Sequence, residues 1–128
     1  MANIIENWLN KEVRLGKNIS NLEEEFSNGY LFGELLHKFK LITNFFEYKN
    51  SNDEETQLRN LRNVETAFKN MNIKLDKTRI FDIKSKKKGV AERFLYQIKM
   101  FLSKKEIDFE TLMSKKGINT NKINFFLI

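Results

Sequence analysis

Asn28-Gly-Tyr-Leu-Phe-Gly-Glu-Leu-Leu-His-Lys-Phe-Lys40 is the stretch whose reading decides the fold. Plotted at about 100° per residue, Tyr30, Leu31, Phe32, Leu35, Leu36 and Phe39 nearly encircle the axis. Only Glu34, Lys38 and His37 are left for water. A helix that is apolar on almost every side lies in the middle of a fold, with other helices around it. Glycine inside a helix costs about 1 kcal/mol against alanine, so Gly33 marks a place where another backbone or ring comes close. Ser27 and Asn28 offer side-chain oxygens at the start of the run.

Helical spacing continues on both sides. Ile4, Ile5, Trp8, Leu9 and Val13 predict a first amphipathic helix over 2–14, with Gly16 after it and Trp8 as its core anchor. Ser20 and Glu23 have capping-box spacing for a turn over 22–26, with Glu23, Glu24 and Glu25 as a solvated face. Residues 41–50 connect, and Phe45, Phe46 and Tyr48 are expected to fold onto the core. Ser51 and Glu54 open a helix over 53–71 that carries Leu58, Leu61, Val64, Phe68 and Met71. Asp76 caps a short helix over 77–83 with Ile80, Phe81 and Ile83 apolar.

Val90, Ala91, Phe94, Leu95, Ile98, Phe101 and Leu102 then form one broad stripe, with Arg93, Tyr96 and Met100 opposite. This last long helix, over 89–104, is expected to be largely enclosed and buried together with the 30–39 helix. Residues 106–116 read as a separate short helix, and the chain ends in the apolar run Asn-Phe-Phe-Leu-Ile128. The organisation predicted is one all-α domain over 1–105 and a short helix and tail over 106–128.

The 128 residues suffice for one core without staples, and 41% hydrophobic content with twelve Phe supplies it. There is no Cys and one His, so disulfides and thiolate or imidazole metal sites have almost no ligands to draw on. No apolar run approaches the ~20 residues of a membrane span, and the first residues do not read as a secretory signal. A soluble cytoplasmic protein without a membrane partner is expected.

Charge is uneven. Residues 1–76 hold ten Lys/Arg and twelve Asp/Glu, whereas residues 77–105 hold ten and two. The whole positive excess lies in that segment, which favours an acidic partner surface. Lys84, Lys86, Lys87 and Lys88 stand in front of the last long helix, with Arg93 on its first turns. Cations are disfavoured at a helix N-terminus, so a lysine cluster there costs stability and is a binding candidate. Lys11, Arg14 and Lys17 form a second small patch. The bland alternative is compositional, since Lys outnumbers Arg eighteen to five.

Function classes separate on these features. No P-loop, dinucleotide turn, HExxH or GxSxG occurs, so no enzyme, cofactor or catalytic residue is expected. A basic segment near aromatics can hold phosphates, but these aromatics have core spacing, so nucleic acid is not expected either. A helical domain with a basic face suits the acidic surface of a cytoskeletal filament.

The order of pieces resembles a calponin-homology (CH) domain, in the variant found in ciliary and flagellar proteins. The resemblance rests on IIENWLNKEV, FSNGYLFGELLHKF, RNLRNVETAFKNMNIKL and KKKGVAERFLYQIKMFL. It implies four main helices with two or three short ones, and a non-catalytic binding module of the axoneme. Microtubules or a central-pair protein are the implied partners. Actin is less favoured, because actin binders usually carry two such domains in tandem. A scaffold that docks one protein through an apolar surface, with residues 118–128 as the candidate, is the alternative. By resemblance, Trp8, Gly29, Leu31, Gly33, Leu35, Leu36, Leu61, Phe68, Leu95 and Phe101 specify the fold.

Overall fold

The computed structural model describes residues 2–115. Six α-helices follow one another: α1 Ala2–Asn7, α2 Leu22–Glu25, α3 Tyr30–Lys38, α4 Glu54–Lys69, α5 Lys77–Lys84 and α6 Val90–Lys115. A π-helical segment, Trp8–Val13, continues α1, and a 3₁₀ turn, Phe45–Glu47, precedes α4. There is no strand among the described residues, and no helix there is long and apolar enough to cross a membrane.

The core is a chain of rings. Phe26 meets Phe32 edge-on at 4.9 Å, Phe32 meets Phe68 edge-on at 6.1 Å, and Phe68 stacks on Phe94 at 5.8 Å. All four are fully buried, and such pairs contribute about 0.5–1.5 kcal/mol each beyond the area they hide. They run from the end of α2 through α3 and α4 to α6. Helices α3 and α6 are buried in one core, as expected, and Phe68 of α4 stands between Phe32 and Phe94. Helix α6 is flanked by α1, α2 and α5, and α4 by α3 and α5.

Glycine 33 does what its cost suggested. A Cβ there would lie 2.7 Å from Cγ and Cε2 of Tyr48, whose ring occupies the gap. Tyr48 is buried as expected of the 41–50 connector, Phe45 is half-buried and stacks on His37 at 5.0 Å, but Phe46 points outward. Gly29 holds φ +82 at the start of α3, and a Cβ there would meet Asn60 Cβ at 2.8 Å. Trp8 is buried, and of the fold-specifying positions only Phe101 is half-exposed.

Several caps lie beside the residues predicted. Asn21, not Ser20, caps α2, and Glu25 reaches back to accept from the N–H groups of Ser20 and Asn21, both at 2.8 Å. Asp53, not Ser51, caps α4 through Thr56 N–H at 3.0 Å, and Ser51 Oγ accepts from Asp53 N–H. Asp76 caps α5 through Arg79 N–H at 2.9 Å, as predicted. Asn28 Oδ1 accepts from Tyr30 N–H. All of these satisfy backbone donors that a helix start leaves open.

Two expectations about α6 change. It runs unbroken from Val90 to Lys115, about 39 Å, through the point where a separate helix was expected. Nor is it largely enclosed: Arg93, Tyr96 and Met100 are exposed along one face. The tail over 118–128 lies outside the described residues.

Candidate functional site

The lysine turn is built by the way α5 stops. Lys86 adopts a left-handed backbone at φ 60, its N–H donates to Ile83 O at 3.1 Å, and the Lys87 N–H donates to Asp82 O at 3.0 Å. This pair of bonds is the Schellman closure, which usually carries glycine at the left-handed position. The same closure ends α3 at Lys40 and α4 at Asn72. Val90 N–H then donates to Lys87 O, and Gly89 at φ +84 turns the chain into α6.

This geometry revises the electrostatic cost read from the sequence. Lys86 and Lys87 precede the positive end of α6, but they also follow the negative end of α5, where cations are favoured. The penalty from one helix is offset by the other.

The eight predicted residues divide by what holds them. Lys84 is half-buried, with its Nζ 3.6 Å from the exposed Glu54 carboxylate. Lys86 Nζ lies 3.9 Å from Glu24. Lys87, Lys88 and Arg93 are exposed and form no ion pair among the described residues. In the second patch, Lys17 is held by Glu25 at 2.6 Å, and Arg14, at φ 58, donates from Nε to Lys11 O. Lys11 is exposed.

The acids of α2, expected to face only solvent, thus tie the two basic patches together: Glu25 holds Lys17 and Glu24 lies against Lys86. Burial pushes the Glu25 carboxyl up. The Lys17 hydrogen bond and those from Asn21 and Ser20 outweigh it, so the group lies below its ordinary value. Arg93 opens onto a groove of about 280 Å³ shared with Ile4, Ile5, Gly89, Glu92 and Tyr96. The lysine turn therefore borders apolar surface.

Away from the lysine turn, one buried polar residue escaped the sequence reading. Asn60 is fully buried on α4 and donates to Asn28 O at 2.9 Å and to Lys49 O at 2.8 Å, while its Oδ1 accepts from Lys49 N–H at 3.1 Å. Asn28 in turn donates to Asn50 and Asn52. The one available signal was a polar residue within the apolar spacing of 58–68. Among the described residues no group of His, Asp and Glu is arranged to hold a metal ion.

The all-helical architecture agrees with a domain of the calponin-homology type. A family profile described as a CH-like domain in sperm protein matches residues 5–100, and the chain belongs to that family. It is 35% identical over 108 residues to human sperm flagellar protein 2, and 32% and 33% identical to the pig and mouse proteins of that name. Each match covers 83% of this chain but 6% of the relative, so the chain spans a small part of their length. No solved structure matches it.

Proposed function

We propose that this domain is a non-enzymatic docking module of the ciliary or flagellar cytoskeleton. It contacts the acidic surface of a microtubule or of a central-pair protein through the turn between α5 and α6. The observation that carries the reading is the exposure of Lys87, Lys88 and Arg93 without ion pairs among the described residues. Lys84 and Lys86 join them, because long pairs to exposed carboxylates contribute only about 0–1 kcal/mol and exchange easily for a partner's acids. Lys11, Arg14 and Lys17 form a secondary contact across α2. The relatives' name supports a flagellar setting.

Binding through exposed cations is weak and salt-sensitive, and a longer parent chain raises it by avidity. Co-sedimentation of the domain with microtubules and with actin filaments across a salt series tests the proposal. Lys87→Glu with Lys88→Glu should abolish microtubule pelleting at low salt. Pelleting that neither this variant nor added salt changes would show that the contact is not electrostatic.

A further inference from the structure

The apolar spacing of α5 does not end at the core. Ile80 and Ile83 are buried, but Phe81 is 66% exposed. Beside it, α4 and α5 leave a groove of about 460 Å³. Helical spacing builds its walls: Leu58, Arg62 and Glu65 share one face of α4, and Lys77, Ile80, Phe81 and Lys84 share one face of α5. The floor is apolar, from half-buried Leu58 and buried Ile80. The rim is cationic. Arg62 and Lys77 form no ion pair among the described residues, and Lys84 has only its long contact to Glu54. Glu65 is the one carboxylate among the lining residues.

The geometry points to this α4–α5 groove as a docking site for an acidic peptide segment that sets an apolar side chain against Phe81. Aromatic residues, Phe among them, and Arg are enriched at protein interfaces relative to the rest of the surface. Three cations against one carboxylate select an acidic partner. A second copy of this chain fits poorly, because a two-fold contact here would bring the same cations face to face. The site is separate from the lysine turn, apart from Lys84, and stands without the filament reading.

The test uses the full chain, ¹⁵N-labelled, at physiological salt, where charges beyond about 8 Å are screened. The probes are a fluorescein-labelled peptide of Glu, Leu and Phe and its counterpart with Lys for Glu. The acidic peptide should shift amides over 58–65 and 77–84, and the Lys peptide should not. Phe81→Ser and the Arg62→Glu/Lys77→Glu pair should each weaken binding about tenfold or more with circular dichroism unchanged. Lys87→Glu with Lys88→Glu should leave it within about twofold. Shifts over 86–93 instead, unchanged affinity in Phe81→Ser, or a wild-type dimer that Phe81→Ser disperses would each overturn the proposal.

Discussion

Replacing Asn60 by alanine should unlock the loop that carries Tyr48. Asn60 supplies two donors and one acceptor to Asn28 O, Lys49 O and Lys49 N–H, and its own side chain is out of contact with water. Stranding the buried Asn28 carbonyl costs about 2 kcal/mol, and the two Lys49 groups, nearer solvent, add about 0.5–1 kcal/mol each. Alanine's better helix propensity returns about 0.5 kcal/mol. The net loss is about 2.5–3.5 kcal/mol, or about 10 °C in Tm for a domain of this size. Urea unfolding followed by the single, buried Trp8 measures it.

Asn60→Asp sharpens the test. Its carboxylate would face two carbonyl oxygens in a buried site, so its folded-state pKa rises above the ordinary aspartate value of about 3.9. A raised folded-state value makes the stability present below the unfolded value and lost as pH climbs through the folded one. The variant should therefore lie closest to the wild type near pH 4 and fall below Asn60→Ala at pH 8. A loss under about 1 kcal/mol for Asn60→Ala, or an Asn60→Asp deficit that does not grow with pH, would refute the assignment of Asn60 as the tie between α4 and the 28 and 49 backbone.

Two further outcomes follow from the packing and the caps. Gly33→Ala gains about 1 kcal/mol of helix propensity but forces the Tyr48 ring out of its slot, for a net loss of about 1–2 kcal/mol by thermal unfolding; Tyr48→Leu in the same chain should recover part of it. Glu25→Gln should cost about 1 kcal/mol at pH 7. Because the Glu25 carboxyl is depressed from 4.5, the wild type's advantage is present above that value and disappears as pH falls through the folded one, which a pH series of urea midpoints will show.

Much of the fold was legible because helical spacing of apolar residues is a local property. The α3 stretch, Trp8 as a core anchor, the Asp76 cap and the close approach at Gly33 could all be read from neighbours within a turn or two. Caps at Ser20 and Ser51 misled because several polar residues crowd each helix start, and only backbone direction selects Asn21 and Asp53. Phe46 was read inward, and the exposure of Phe81 went unread, because an apolar residue next to core positions carries no mark of which side of the helix or turn it takes.

The candidate site divides in the same way. That Lys84, Lys86, Lys87, Lys88 and Arg93 stand together at a turn is a matter of chain order. That Lys84 and Lys86 reach Glu54 and Glu24, while Lys87 and Lys88 stay unpaired among the described residues, required the packing of α4 against α5 and of α2 against α6. The sequence alone determined where most helices begin, most of their apolar faces and the location of the positive excess, since each depends on residues close along the chain; it did not reveal that α6 runs on to Lys115. Tertiary structure alone decided that Phe68 stands between Phe32 and Phe94, that Asn60 is buried as a tie, and which cations remain free. Those depend on pairings between residues tens of positions apart, which no local spacing encodes.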